Sequence, residues 1–121
     1  MTSPVPDSVV FETLGVSGEC DVLGAADLRE RLTEQLETGR PVVVDLSEAT
    51  FVDSACLGVF VGAFKDATRR GQPLVFLAPR DPSANVRRVF ELAGLARVLP
   101  LVSSWQEVEQ LLASDPYPDR R

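Results

Sequence analysis

The chain has no histidine among its 121 residues, and that absence removes most catalytic readings at once. Without an imidazole there is no Ser-His-Asp or Cys-His site, no His-ligated zinc, and no use of the commonest general acid and base. Cysteine is scarce too. Cys20 and Cys56 are the only two, too few for a zinc cluster or a disulfide framework, and a domain of this size folds without a covalent staple. No cofactor and no metal are expected. Met1 to Asp7 lack the basic and apolar regions of a secretory signal, and no later stretch is long and apolar enough to cross a bilayer. A reduced, cytoplasmic protein without membrane contact is the expectation. Positive charge is in deficit as well: 12 Lys and Arg against 18 Asp and Glu leave a net charge of −6. That balance argues against direct binding of nucleic acid or anionic lipid by charge attraction, and points to a protein partner.

What remains is ordinary for one globular domain: 45% hydrophobic and 25% charged residues, with no low-complexity block and no internal repeat. Residues 1–8 and 114–121 carry prolines and polar residues that suit neither helix nor strand, so flexible ends are expected around a domain at 9–113. Val9 to Val16 read as a strand closing on a Ser17-Gly18 turn. From Ala25 to Thr38, Leu28, Leu32 and Leu36 recur at helical spacing before the stop at Gly39. Val42 to Leu46 is a short apolar run of the kind buried on both faces. A helix follows over Ala55 to Arg70, with Leu57, Phe60, Val61 and Phe64 along one side. Leu74 to Leu77 read as another buried strand, Ser83 to Leu92 as a third helix, and Val98 to Val102 as an edge strand because of Pro100. Ser103 or Ser104 begins a last helix, with Glu107 placed for a capping box. This alternation predicts an α/β fold with a mostly parallel or mixed sheet of about four strands and about four helices.

In such folds, sites gather at the carboxyl ends of the strands. One connection stands out, from Asp45 through Glu48 to Asp53-Ser54, which is expected to leave a buried strand as a loop and enter a helix at Ser54. Asp53-Ser54 reads first as a helix cap. A serine there can also accept a phosphoryl group, whose oxygens would face unpaired N–H groups and the positive end of the helix dipole. Glu19, Asp21, Asp45, Glu48 and Asp53 would form an acidic rim, to which a phosphate adds about −1.5 to −2 charge.

Asp53-Ser54-Ala55-Cys56-Leu57-Gly58, preceded by Val42 to Leu46, resembles the D-S-[ST]-G-L-G segment of STAS-domain anti-sigma factor antagonists. Gly18-Glu19-Cys20-Asp21 is similar to their G-E-L-D turn, and Phe90-Glu91-Leu92-Ala93-Gly94-Leu95 to their F-x-[IL]-[ST]-G-L stretch. Three motifs in the family's order, between residue 18 and about residue 112, are far more specific than one. The resemblance implies a STAS-like domain without catalysis of its own. It implies that the unphosphorylated protein binds an anti-sigma factor, itself a serine kinase, and frees the sigma factor. Phosphorylation on Ser54 would switch that binding off, and a PP2C-type phosphatase would restore it. The implied contact surface is Glu19, Asp21, Asp53, Ser54, Ala55, Cys56, Leu57 and Gly58. Two motif positions differ: Ala55 stands for the second hydroxyl residue and Cys56 for the glycine. Family members also usually carry one more strand before the G-E-L-D turn, where this chain has only Pro4 to Ser8.

A STAS module that does not cycle phosphate, serving as a scaffold or as the regulatory part of a transporter or sensor complex, stays open as an alternative. An enzyme using Ser54 or Cys56 as nucleophile would lack a histidine base. Cys56 reads as a small semi-buried residue or a low-pKa redox thiol, Cys20 as core, and Trp105 as a packing residue. Arg69-Arg70 and Arg87-Arg88 read as solvated faces.

Overall fold

A computed structural model describes residues 10–80 and 85–113, so the expected flexible ends, the Val9 start of the first strand and the Ser83 start of the third helix lie outside the described residues. The order is β1 (Glu12–Cys20), α1 (Ala25–Leu36), β2 (Val42–Val52), α2 (Ser54–Arg69), β3 (Leu74–Leu77), α3 (Val86–Leu92), a 3₁₀ turn at Leu95–Arg97, β4 (Leu101–Val102) and α4 (Trp105–Ala113). All three strand pairings are parallel, in the order β1-β2-β3-β4. Parallel neighbours joined by right-handed crossovers put their helices on one face of the sheet. Accordingly Leu28 and Leu32 of α1, Val59 and Phe60 of α2, and Phe90 of α3 share one core with Leu14, Val44, Leu46 and Phe76. Phe60, Phe76 and Phe90 meet at its centre with ring centroids 5.3 to 6.0 Å apart. The opposite face is covered by α4, whose Val108 and Leu112 pack on Val43, Val75 and Leu77.

Two expected boundaries are corrected. Ser17-Gly18 is not a turn ending β1: the strand runs on to Cys20, with Gly18 at φ +67° inside it. The connection after Leu46 is not a loop either, because β2 continues to Val52 in register with β1. The register shifts between Gly15 and Ser17 and again between Gly18 and Glu19, each time placing an extra residue on β2. These are β-bulges, and they reconcile an eleven-residue strand with a nine-residue partner. Each bulge also delays the return of a side chain to the core by one position. Leu46, Ala49 and Val52 are therefore buried at three-residue spacing, while Ser47, Glu48, Thr50 and Phe51 are exposed.

The last strand is shorter than expected. Only Leu101–Val102 pair with β3, because residues 95–97 wind into the 3₁₀ turn and Val98 is exposed. Its edge position is as expected. Pro100 gives no N–H, but its carbonyl accepts from Phe76 N–H at 2.8 Å. Start signals work as anticipated in α4, where Glu107 N–H donates to Ser104 Oγ at 3.2 Å and Ser103 N–H to Glu107 Oε1 at 2.7 Å.

Candidate functional site

The long β1-β2 ribbon carries the site beyond the ends of β3 and β4. Where β2 stops at Val52, Asp53 turns the chain into α2. Its extended backbone (φ −97°, ψ −179°) is that of an N-cap, and its Oδ1 accepts from Cys56 N–H at 3.1 Å. Asp53 N–H donates to Cys20 O at 3.0 Å, so the cap is fixed to the end of β1, and Leu57 N–H donates to Asp53 O at 3.0 Å. Ser54 is thus the first helical residue, exposed, its hydroxyl without a partner among the described residues. The Ser54 and Ala55 N–H groups begin the helix and are likewise left unpaired among the described residues.

On the neighbouring turn, Asp21 Oδ1 accepts from Leu23 N–H at 3.1 Å. Asp21 O accepts from Gly24 N–H at 3.0 Å and from Cys56 Sγ at 3.5 Å. Asp21, Asp53 and Cys56 are therefore joined through short hydrogen-bonded links, with Ser54 next to Asp53 in the chain. Glu19 is exposed opposite Phe51 on the ribbon, Ala55 and Leu57 are half-buried in the first turns of α2, and Gly58 is exposed where α2 faces α1. Cys56 differs from the others: its side chain is wholly enclosed and presents nothing to a partner.

The acidic rim is smaller than the sequence suggests. Asp45 and Glu48 lie inside β2, not in a loop, with Asp45 Oδ1 held by Ser47 N–H at 2.9 Å and Ser47 Oγ at 2.5 Å. Glu19, Asp21 and Asp53 remain at the strand ends. Exposed apolar groups join them, which sequence reasoning did not single out: Leu23 (90% exposed), Val22 (65%) and Phe51 (43%). A visible signal was present in Val22-Leu23, two apolar residues directly after the Asp21 turn.

Neither thiol has a lowered pKa. Burial, the largest cause, pushes Cys56 far above the ordinary thiol range, with Cys20 and Asp53 adding to it. Cys20 is raised by the same cause, and is core as expected. Trp105 packs on Phe11 with ring centroids 6.4 Å apart. Arg87 is no solvated residue: it donates to Ala78 O from Nε at 3.1 Å and Nη2 at 2.7 Å, and to Ser103 Oγ at 2.8 Å, holding the ends of β3 and β4 together. Burial, with Arg80 nearby, lowers its pKa. Among the described residues no group of three or more Cys, Asp or Glu could hold a metal ion, and no helix is long and apolar enough to cross a membrane.

Comparison with known proteins agrees with this geometry. The family described as "Mlab, STAS domain" matches residues 9–103. The anti-sigma-B factor antagonist of Listeria monocytogenes is 37% identical over 87 residues, 71% of this chain and 74% of that protein. Its Bacillus subtilis namesake is 33% identical over 88 residues, 73% of this chain and 78% of that protein. The crystal structure of an anti-sigma factor antagonist from Mycobacterium paratuberculosis superposes with a TM-score of 0.69 at 25% identity, covering 78% of this chain and 79% of that one. The chain belongs to the STAS-domain family of anti-sigma factor antagonists. It is a regulatory protein and not an enzyme.

Proposed function

We propose that this protein binds an anti-sigma factor through the end of the molecule that carries Ser54, releasing the sigma factor, and that phosphorylation of Ser54 ends the binding. The observation that carries the reading is the Ser54 hydroxyl itself, exposed and unpaired at the first position of a capped helix. The anti-sigma factor acts as the kinase, moving the γ-phosphoryl group of ATP to Ser54 Oγ, and a PP2C-type phosphatase removes it. Both steps belong to the cytoplasm, where ATP is at hand.

The physics favours a local switch. A phosphate on Ser54 Oγ lies within reach of the Ser54 and Ala55 N–H groups and the positive end of α2. It brings about −1.5 to −2 charge beside Asp53 and Asp21. A partner packed against a neutral hydroxyl and the apolar Leu23 and Phe51 then meets a dianion, and burying it without a counter-charge costs several kcal/mol. The fold itself has no reason to change, since the acceptor is outside both cores.

Incubation with the anti-sigma factor and ATP, followed by peptide mass spectrometry, tests the acceptor. Phosphate should appear on Ser54 and disappear in Ser54→Ala. Binding of the anti-sigma factor without any labelling would favour the scaffold reading, in which this surface docks a partner and is never modified.

A further inference from the structure

Cys20 and Cys56 are thirty-six positions apart, yet the fold brings both to the start of α2, linked through Asp53 and Asp21 next to the candidate acceptor. Cys20 ends β1 opposite Val52, and Cys56 lies in the first turn of α2 with its Sγ 3.5 Å from the carbonyl oxygen of Asp21, the residue next to Cys20. The surrounding backbone clamps the pair: Asp53 N–H holds Cys20 O, Asp53 Oδ1 holds Cys56 N–H, and Asp21 O receives Cys56 Sγ. Both thiols are free and buried, Cys56 completely and Cys20 with 8% of its surface exposed. Each also replaces a different residue in the motifs quoted above, so two departures from one pattern meet in space.

We propose that Cys20 and Cys56 form a redox modification site, in which a hydroperoxide joins them as an intramolecular disulfide tying the end of β1 to the first turn of α2, two residues from Ser54. Cys20 is the more accessible and reacts first. Its sulfur attacks the peroxide O–O bond and takes one oxygen to become a sulfenic acid, while the other oxygen leaves as water or alcohol with the thiol proton. Cys56 sulfur then attacks the Cys20 sulfur. The S–S bond forms, the S–OH bond breaks, and water leaves carrying the Cys56 proton. The two thiols have lost two electrons and two protons, and the peroxide has gained them.

The local structure sets the rate and the consequence. Burial holds both thiols protonated, Asp53 reinforces this for each and Asp21 for Cys20, so oxidation is slow at neutral pH and quickens in alkali. Closing to the bond length of about 2.05 Å takes Cys56 Sγ from Asp21 O and leaves that turn one contact poorer.

The test uses the full chain, reduced and then exposed to hydrogen peroxide at mildly alkaline pH. The readouts are thiol titration in denaturant, intact mass, and peptide mapping without reductant. Two titratable thiols should fall to none, the monomer should become lighter by two hydrogen atoms, and one linked peptide should contain Cys20 and Cys56. Cys56→Ser under the same treatment should give no such peptide. Two thiols still titrating, stable sulfinic or sulfonic products, or dimers linked between chains would overturn the proposal. No kinase or anti-sigma factor enters this measurement, so its outcome is independent of the role of Ser54.

Discussion

Asp53 is where capping and charge can be separated. Asp53→Ala removes the acceptor of Cys56 N–H, and because Cys56 is fully enclosed, water does not replace it. Losing an N-cap costs about 1 kcal/mol, within roughly 0.5 to 2, and an enclosed orphan N–H puts this case near the upper part of that range, about 1.5 kcal/mol. Asp53→Asn keeps an oxygen in the same place and loses only the favourable interaction of a carboxylate with the helix dipole, about 0.5 kcal/mol. For a chain of this length each kcal/mol moves the thermal midpoint by roughly 3–6 °C. Asp53→Ala should therefore melt about 4–9 °C below the parent, and Asp53→Asn about 2–3 °C below it. Calorimetry gives the midpoints, and urea titration with an unchanged slope confirms that the native state alone is affected. Equal losses in both variants would show that charge, not the cap, holds the start of α2. No loss in Asp53→Ala would refute the geometry on which the placement of Ser54 depends.

Other residues make independent predictions. Phe90→Ala removes one of three mutually packed, fully buried rings and should cost about 3–5 kcal/mol by urea unfolding. Arg87→Ala strips donors from Ala78 O and Ser103 Oγ and should cost about 1–3 kcal/mol, whereas the exposed Arg88→Ala should stay within about 0.5 kcal/mol; calorimetry compares them. The thiols make stability depend on pH. Unfolded cysteines lose protons from about pH 8.5, while burial keeps the folded ones protonated to higher pH. The folded state then binds more protons, so this contribution is complete below that pH and is lost as pH rises. Between about pH 7.5 and pH 10 the parent's thermal midpoint should fall further than that of Cys56→Ala.

Local rules reached far into this fold and stopped at identifiable places. Leu28, Leu32 and Leu36 announced α1, and the apolar runs at residues 42–46 and 74–77 announced two central strands, because one period or one composition dominates each segment. The end of β2 was hidden for a physical reason. Two bulges convert the alternation of a strand into burial every third residue at Leu46, Ala49 and Val52, which no two-residue period detects. Gly18 misled in a related way, since its positive φ serves a strand irregularity and not a chain reversal. Asp53 and Ser54 were legible because a cap and its helix are neighbours in sequence. Arg87 was not, because its acceptors, Ala78 and Ser103, lie nine and sixteen residues away. The same holds for Cys20 against Cys56, and for Leu23 and Phe51 flanking the site from different strand ends.

The central claim is that an exposed hydroxyl at the head of α2 decides whether the partner binds. Isothermal titration of the anti-sigma factor with unmodified protein, Ser54-phosphorylated protein and Ser54→Ala measures it directly. Unmodified protein and Ser54→Ala should bind alike, and the phosphorylated form should bind at least about a hundredfold more weakly, the equivalent of a few kcal/mol. Equal affinity of all three for the anti-sigma factor would contradict the account.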